Sequence, residues 1–260
     1  MTILDKIIEN KKKELEVLAG ITAVRDLENS RLFKREIISL SKFLLDSNRT
    51  GIIAEFKRKS PSRGIINSSS SVVEVTSGYF REGASGVSVL TDNQFFGGST
   101  SDLMNAREKS KFPILRKDFI LDEYQVIESK AIGADAILLI AAVLEKQDIL
   151  NLSRLARSFG LEVLLEIHEK EELDKVNGYI NIIGVNNRNL KTFEVSTDIS
   201  EKISEKIPQG FLKISESGIS SPQVIKKLRT SGYNGFLIGE KFMCTPDPVK
   251  AFSELVKDLI

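Results

Sequence analysis

The chain has 260 residues, 41% of them hydrophobic, which is enough to bury a sizeable core within one domain. Its 37 basic and 36 acidic residues nearly cancel, so overall charge favours neither nucleic acid nor an anionic membrane as a partner. A single cysteine, Cys244, and a single histidine, His168, exclude a disulfide framework and a metal site built from clustered cysteine and histidine. We therefore expect a cytoplasmic protein that holds no metal.

The first predicted element is an amphipathic helix in the segment TILDKIIENKKKELEVLAG. Its apolar residues follow helical spacing, but acidic residues interrupt them, unlike the core of a signal peptide or an acid-poor transit peptide. Thr2 is expected to cap the start of this helix and Gly20 its end. The basic run Lys11, Lys12 and Lys13 is expected to form its solvated face. No later stretch reaches about 18 uninterrupted apolar residues, so no membrane-spanning helix is predicted.

Eight short apolar runs follow from residue 51, separated by amphipathic stretches. They read GIIAEF, GVSVL, FPILR, DAILLIA, EVLLEI, IIGVN, FLKIS and GFLIG. The runs start about every 26 residues, which is the spacing of a strand with its crossover helix. Three of them follow a glycine at a helix end, in GASGVSVL, GADAILLI and GYNGFLIG, a pattern typical of buried parallel strands covered by helices.

This rhythm predicts an α/β fold, a (β/α)8 TIM barrel with an N-terminal helical extension. We expect a single domain over residues 1–260, in which residues 1–48 form the extension. A doubly wound open sheet is the alternative, and the lack of a glycine-rich dinucleotide fingerprint after the first strand argues against it.

The first strand ends in charged residues, in the stretch IIAEFKRKSPSRG. Because side chains alternate along a strand, Ile53, Glu55 and Lys57 share one face. Chemistry in such a barrel takes place at the C-terminal ends of the strands, so Glu55 and Lys57 are predicted to point into the barrel mouth. Arg58 alternates away from Lys57 and is predicted to bond outward to helix groups.

Other strands bring polar groups to the same rim, and charges from five strands at one rim indicate a site rather than solvated strand ends. These groups are Lys117 after the third strand, Glu166 at the fifth, Asn186, Asn187 and Arg188 at the sixth, Glu216, Ser217 and Gly218 at the seventh, and Gly239 at the eighth. Burial of unpaired charge costs several kcal/mol, so they must compensate one another or a ligand.

Three further features lie outside this rim. The loop after the first strand contains Pro61, Gly64 and four consecutive serines, a composition that resists regular structure, and residues 58–67 are expected to act as a lid. His168 is expected at the surface, and Cys244 is expected to serve packing.

The stretches IIAEFKRKSPSRG, FFGGS, ILRKDFI, LLIAAVL, LLEIH, IGVNNRNL, ISESGI and LIGE occur in this order. Over nearly the whole chain they resemble the indole-3-glycerol phosphate synthase family, barrel enzymes of the tryptophan pathway. The family closes the indole ring of 1-(2-carboxyphenylamino)-1-deoxyribulose 5-phosphate, releases carbon dioxide and water, and uses no cofactor. The chain departs from the family at Asn189, where Asp is frequent, and at Lys241 and Phe242, where residues are smaller, which affects local loop packing.

The resemblance implies a catalytic set. Lys117 is the expected acid at the ketone oxygen and Glu166 the expected base, Glu55 and Lys57 hold charge and geometry, and Asn186 orients the ribulose hydroxyls. Neighbouring Lys57 and partial burial are expected to lower the pKa of Lys117. Spacing alone leaves open how the two lysines and the two glutamates divide the acid and base roles.

The chemistry of that substrate also implies binding residues. An aromatic carboxylate suits a planar guanidinium, so Arg188 with Ser60 is the expected clamp. A phosphate suits backbone N–H groups in the loops after strands seven and eight, with a lysine as countercharge. The expected substrate-binding residues are Ser60, Arg188, Glu216, Ser217 and Leu237, with Phe119 as a second apolar cover for the ring, and the expected phosphate-binding residues are Lys59, Gly218, Gly239 and Glu240.

Other functions fit the sequence less well. A sister sugar-phosphate barrel such as phosphoribosylanthranilate isomerase needs a Cys/Asp acid–base pair, whereas the first strand here offers Glu55 and Lys57. A non-catalytic binding protein on a decayed barrel would have lost some of the charged rim. A nucleic-acid binder would need an aromatic platform beside its basic residues. The expected partner is a phosphorylated small molecule, with no nucleic acid and no membrane, and the chain is expected to be a monomer or weak homodimer.

Overall fold

Eight parallel strands close into a barrel in the computed structural model, which describes residues 2–190 and 192–259. Strands β1 to β8 are Ile52–Phe56, Gly86–Leu90, Ile114–Lys117, Ala136–Ile140, Glu162–Ile167, Ile182–Asn186, Leu212–Glu216 and Gly235–Ile238. Each strand pairs with its neighbours in chain order, and β8 pairs with β1 where Leu237 lies beside Ile53. The TIM barrel is therefore confirmed, and the open sheet is wrong because these eight strands form a closed sheet.

Helices surround the barrel and precede it. Helices α1 to α11 are Ile3–Ile21, Val24–Glu28, Leu40–Leu45, Val72–Arg81, Thr100–Glu108, Glu123–Ala131, Lys146–Ser158, Asp198–Ser204, Pro222–Thr230, Glu240–Met243 and Pro248–Val256, and a 3-10 helix, Lys170–Lys175, follows β5. Thr2 caps α1 as predicted, because its side chain accepts from the Asp5 N–H while the Asp5 carboxylate accepts from the Thr2 N–H. Gly20 does not end the helix, which continues to Ile21 with a hydrogen bond from the Thr22 N–H to Leu18.

Strand alternation divides the core into two layers. Ala54 and Phe56 face outward and pack with the helices, whereas Ile53 belongs to the cluster inside the barrel. The other interior residues are Leu115, Ala136, Leu138, Ile140, Leu164, Ile182, Ile214 and Leu237. Leu40 and Leu44 of α3 join this interior cluster. The predicted facing of β1 is therefore confirmed.

The N-terminal extension contacts both ends of the barrel. At the N-terminal ends of the strands, Arg35 Nη1 lies 2.8 Å from Asp135 Oδ1, and the Ser41 hydroxyl donates to Glu162 at 2.9 Å. At the opposite end, Lys11 of α1 is only 4% exposed and pairs with Asp92 and Asp118. Lys12 and Lys13 are therefore solvated as expected, but Lys11 is not. Lys11 is buried because it pairs with the carboxylates that follow β2 and β3.

The loop after β1 contains more regular structure than its composition suggests. Lys59–Ser60 and Gly64–Ile65 form a short antiparallel hairpin, and the N–H of Ile66 donates to the Arg58 carbonyl at 2.8 Å. Gly64 has a φ of +67°, which allows the chain to turn after Pro61 and the two short strands to pair. This pairing explains why the loop is more regular than its composition suggests. Within the described residues, no helix combines the length and apolar character needed to cross a bilayer.

Candidate active site

A cavity of about 800 Å³ opens at the C-terminal ends of the strands. Its polar wall comes from the strand ends, and its apolar wall comes partly from α1. The polar lining includes Glu55, Lys57, Ser60, Lys117, Glu166, Asn186, Arg188, Glu216, Ser217, Gly218, Gly239 and Glu240, and the apolar lining includes Ile3, Leu4, Ile7, Leu90, Phe96, Phe119, Leu138 and Leu237. Of the predicted rim and site residues, all but Lys59 and Asn187 line this cavity. Asn187 is fully buried, and its amide donates to the Ser215 hydroxyl at 2.8 Å.

Lys117 lies at the centre of the polar wall. Its Nζ is 2.8 Å from Glu166 Oε2 and 3.2 Å from Glu216 Oε2, and its side chain is 13% exposed. Burial acts to lower the pKa of Lys117, but the charges of Glu166, Glu216 and Glu55 outweigh it and raise the pKa above its ordinary value. The expected lowering is wrong for this structure, because three carboxylates surround the ammonium while Lys57 has a partner of its own.

That partner is Glu55, whose Oε1 is 2.7 Å from Lys57 Nζ. Both side chains project from the end of β1, as the alternation predicted. Gly239, at the end of β8, allows this arrangement because a side chain there would place its Cβ 2.5 Å from Glu55 Oε1. Two lysines and three glutamates thus form one network that neutralises most of its own charge.

Glu166 is held as a carboxylate. Its Oε2 receives Lys117, and its Oε1 accepts a hydrogen bond from Asn186 Nδ2 at 3.1 Å. Burial would raise the pKa of Glu166, but Lys117, His168 and the Asn186 hydrogen bond lower it to about 2. A carboxylate ionised at neutral pH is competent to accept a proton.

Glu216 has the opposite character. It is 1% exposed, and its Oε1 has no hydrogen-bond partner among the described residues. Burial, together with the charges of Glu166 and Glu55, raises the pKa of Glu216 to about 8 against the opposing effect of Lys117. Gly184 of β6 provides the space for this carboxyl, because a Cβ at that position would overlap Glu216 Oε1.

Arg188 and Glu240 meet on the rim. Arg188 Nη2 lies 3.4 Å from Glu240 Oε2, and Arg63 of the first loop pairs with the other oxygen of Glu240 at 2.8 Å. The N–H of Arg188 donates to Asn186 Oδ1 at 3.0 Å, which fixes the start of this loop. The Arg188 guanidinium therefore already contacts a carboxylate and can exchange it for one on a ligand.

Two loops present backbone donors to the cavity. Ser217 and Gly218 both have positive φ, 65° and 73°, which turns the chain sharply after β7. Gly239 begins the short helix α10. In the described chain, the N–H groups of Gly218, Gly239 and Glu240 have no protein acceptor. Such N–H groups suit an anion with several oxygens.

Three residues outside the network, Lys59, Arg58 and Cys244, test the predictions made from the sequence. Lys59 Nζ donates to the Gln94 carbonyl and does not line the cavity, because the hairpin turns this side chain toward the loop after β2. Arg58 binds Asp102 of α5 with two hydrogen bonds, as predicted. Cys244 is exposed and lines the cavity, contrary to the packing expectation, because it follows the short helix α10 at the rim.

His168 is also not at the surface. Its side chain is 12% exposed, with Nε2 3.4 Å from Glu166 Oε1 and Nδ1 3.9 Å from Glu172 Oε2. Glu172 of the 3-10 helix Lys170–Lys175 accepts a hydrogen bond from the His168 N–H at 2.6 Å, which holds this helix against the end of β5. The surface position that the sequence predicted is therefore wrong, because the contact with this helix arises only in the tertiary structure.

Sequence reasoning missed the contribution of α1. Ile3, Leu4 and Ile7 line the cavity and lie on the predicted apolar stripe of that helix. The stripe predicted that this face packs against something, and the barrel mouth is its partner. Lys11 stands on the same helix, one turn after Ile7.

A closed parallel barrel whose mouth carries paired lysines and glutamates beside free backbone donors defines a (β/α)8-barrel enzyme for a small phosphorylated substrate. A sequence model of the indole-3-glycerol phosphate synthase family matches residues 4–255, and the chain belongs to that family. Its activity is that of a decarboxylating lyase of tryptophan biosynthesis.

Named relatives agree with this assignment. An indole-3-glycerol phosphate synthase of Bacteroides thetaiotaomicron is 45% identical over 262 residues, covering 98% of this chain and 98% of the relative. One of Polaromonas naphthalenivorans is 40% identical over 257 residues, covering 97% and 98%.

Solved structures agree on the fold. A chain from the tryptophan synthase α2β2 complex of Pyrococcus furiosus has a TM-score of 0.59 at 15% identity and covers 82% of this chain and 98% of its own. KGPDC from Streptococcus mutans has a TM-score of 0.61 at 11% identity, with coverage of 80% and 96%. At such identities the likeness shows the barrel alone.

Proposed function

We propose that this cavity converts 1-(2-carboxyphenylamino)-1-deoxyribulose 5-phosphate into indole-3-glycerol phosphate, carbon dioxide and water. The observation that carries the proposal is Lys117, a buried ammonium held 2.8 Å from Glu166 and 3.2 Å from Glu216 at the cavity centre. Family membership supplies the reaction, and this geometry supplies an acid and a base beside each other.

The lining supports one orientation of the substrate. The phosphate binds the backbone N–H groups of Gly218, Gly239 and Glu240, since these donors converge on the rim without protein acceptors in the described chain. The aromatic ring lies on the apolar wall with Phe96, Phe119 and Leu237. Lys59 is not part of the phosphate site in this orientation, because its ammonium donates to Gln94 instead.

The substrate carboxylate binds at Arg188, with Ser60 as a second donor. Both residues line the cavity, and Ser60 is 8% exposed. Arg188 Nη2 lies 3.4 Å from Glu240 Oε2, so the substrate exchanges one carboxylate for another on the same guanidinium. This exchange limits the desolvation cost of binding, since the guanidinium is paired before and after.

Lys117 donates its proton to the ketone oxygen while the ring carbon that bears the carboxylate attacks the ketone carbon. The carbon–carbon bond forms, the carboxylate leaves as carbon dioxide, and its bonding electrons neutralise the positive charge that attack creates on the nitrogen. The new hydroxyl then leaves as water with a second proton, which Glu216 supplies through Lys117, because a pKa of about 8 keeps Glu216 protonated at neutral pH. Glu166, ionised because its pKa is lowered to about 2, accepts the proton from the carbon next to nitrogen that completes the indole. Glu55 and Lys57 hold the charges in place, and Asn186 orients Glu166 and the substrate hydroxyls.

The test is direct, because the chain contains no tryptophan and indole emission therefore comes only from product. We expect indole fluorescence to appear when the protein is mixed with the carboxyphenylamino-deoxyribulose phosphate. Absence of fluorescence, together with turnover of phosphoribosylanthranilate, would favour the isomerase instead. Binding without turnover of either compound would indicate a binding protein.

We further propose that the protein acts in the cytoplasm as a monomer or weak homodimer, with neither nucleic acid nor membrane as a partner. The near balance of charge and the single cysteine support this proposal. Light scattering across a concentration series measures the oligomeric state, and a dimer stable at nanomolar concentration would contradict it.

A further inference from the structure

Helix α1 buries a charged side chain that an isolated amphipathic helix would expose. Lys11 Nζ lies 3.1 Å from Asp92 Oδ2 and 3.1 Å from Asp118 Oδ1, and the residue is 4% exposed. Lys13 of the same helix has a side chain that is 69% exposed. Glu14 of the same helix is a third partner, with its Oε2 2.7 Å from Lys11 Nζ. Burial of an ammonium is costly unless it is paired, and Asp92 and Asp118 are the partners that the barrel supplies.

Both carboxylates hold the backbone of an aromatic residue in the cavity. The carboxylate of Asp92 accepts hydrogen bonds from the N–H groups of Phe95 at 2.8 Å and Phe96 at 3.3 Å, and that of Asp118 accepts one from the Phe119 N–H at 2.8 Å. The rings of Phe96 and Phe119 are 6.0 Å apart, and both line the cavity. Lys11 therefore connects, through two aspartates, to the two aromatic rings of the apolar wall.

The charge of Lys11 matters more to one aspartate than to the other. Asp118 also pairs with Arg116 at 3.1 Å, so it retains a cation if Lys11 is lost. Across residues 2–190 and 192–259, Asp92 has no cation other than Lys11 within salt-bridge distance, and it is 0% exposed. A buried carboxylate without a countercharge turns toward water, and the backbone of Phe96, which it binds, moves with it.

We propose that Lys11 is a positioning residue for the aromatic ring of the substrate: its ammonium fixes Asp92 and Asp118 so that Phe96 and Phe119 present their rings to the cavity. This inference rests on the proposed function, because the ring that the pair contacts belongs to that substrate. Lys11 itself does not line the cavity and acts through the two aspartates.

A purely structural role for Lys11 gives a different outcome. If its charge only docks α1, its loss moves Ile3, Leu4 and Ile7 away from the cavity, and activity is then lost at a lower urea concentration than helical structure. If it positions the aromatic pair, affinity for the ring falls while affinity for the phosphate is retained, because the N–H groups of Gly218 and Gly239 lie on β7 and β8 loops that Lys11 does not contact.

The experiment compares Lys11→Met with Lys11→Arg and with the control Lys13→Met in the full chain. Inhibition constants are measured for indole-3-glycerol phosphate, which has the ring, and for glycerol 3-phosphate, which lacks it. We expect Lys11→Met to raise KM and the inhibition constant of the indole compound about 10-fold or more, as small displacements of positioning groups do. We expect the glycerol 3-phosphate constant to stay unchanged, Lys11→Arg to restore part of the loss, and Lys13→Met to match the wild type.

An equal rise in both inhibition constants, no rise in either, or loss of activity in Lys11→Met at a lower urea concentration than loss of helical structure overturns the proposal. If Lys11→Met does not fold, Asp92→Asn decides, because it keeps an oxygen for the Phe96 N–H and removes the charge that Lys11 holds; a wild-type constant for the indole compound in that variant also overturns it. An inactive wild type contradicts the proposed function, whereas an active wild type with an unaffected Lys11→Met contradicts only the role of Lys11.

Discussion

Lys117 and Glu166 form an ion pair in which the pKa of the lysine is raised and the pKa of the glutamate is lowered. Each stabilises the ionised form of the other, so both are charged at neutral pH when no ligand is bound. An acid held this firmly donates only when the substrate oxygen develops negative charge, which is the condition for differential stabilisation of a transition state.

Lys117→Ala is therefore expected to abolish turnover while substrate affinity changes by less than about tenfold, because the interaction that is lost belongs mainly to the transition state. Single-turnover fluorescence measures the chemical step, and equilibrium binding measures affinity. Retention of half of the wild-type kcat would remove Lys117 from the role of acid. The exposed Lys13→Ala serves as the matched control.

Glu216 determines a pH dependence of stability. Its pKa is raised from 4.5 to about 8, so between these values the folded protein binds a proton that the unfolded chain releases. The free energy of unfolding therefore falls as pH rises from about 5 to 8. Glu216→Gln should flatten this decline, measured as urea midpoints between pH 5 and 8. An unchanged slope in the variant would show that Glu216 is already ionised. The pKa of Glu166 is lowered to about 2, so its contribution to the free energy of unfolding changes only below pH 4.5, outside this range.

At the scale of elements, the extension is fastened to the barrel by buried charge at the end opposite the cavity. Asp135 is 0% exposed and receives Arg35 of the extension, Arg107 of α5 and the N–H groups of Ile38 and Ile114. A carboxylate with four donors from separate segments ties those segments to the start of β4.

Asp135→Ala is expected to lower the free energy of unfolding by about 3–5 kcal/mol, because it leaves two guanidinium groups without their partner. KM should not change, since the cavity is at the other end of the barrel. The control is Glu108→Gln, whose ion pair with Arg31 is exposed and should contribute less than about 1 kcal/mol. A loss for Asp135→Ala as small as that of the control, in chemical denaturation, would contradict this account.

The elements also show where sequence reasoning succeeds. The eight strands and the facing of Glu55 and Lys117 follow from alternation and spacing, which are local properties of the chain. The position of Lys11 does not, because it depends on carboxylates from distant segments. The position of His168 does not, because it depends on how the 3-10 helix that follows it folds back on β5. Basic residues in a helix are solvated unless carboxylates meet them, and those carboxylates lie 81 and 107 residues further along the chain, at 92 and 118.

At the scale of the whole molecule, the extension spans the barrel from mouth to base. Helix α1 covers the cavity with Ile3, Leu4 and Ile7, and α3 places Leu40 and Leu44 in the barrel interior. The cavity wall and the packing at the N-terminal ends of the strands therefore depend on the same extension of about 48 residues.

We predict that the molecule unfolds in one step, since undocking of the extension would expose both ends of the barrel core. Enzymatic activity, which requires α1 at the cavity, and far-ultraviolet circular dichroism, which reports all helices, should decline at the same urea concentration. Loss of activity at a distinctly lower urea concentration would mean that the extension detaches first, and would contradict a single cooperative unit.

Gly184 shows how a catalytic arrangement can depend on an atom that is missing. The carboxyl of Glu216 fills the volume that a side chain on β6 would need. A side chain at this position would therefore displace the Glu216 carboxyl and change which groups of the site hold protons, although no charged residue had been altered. In a lineage of such enzymes, activity could be lost or redirected through a single methyl group on the barrel wall, and a search for inactive copies that inspects only lysines and glutamates would overlook it.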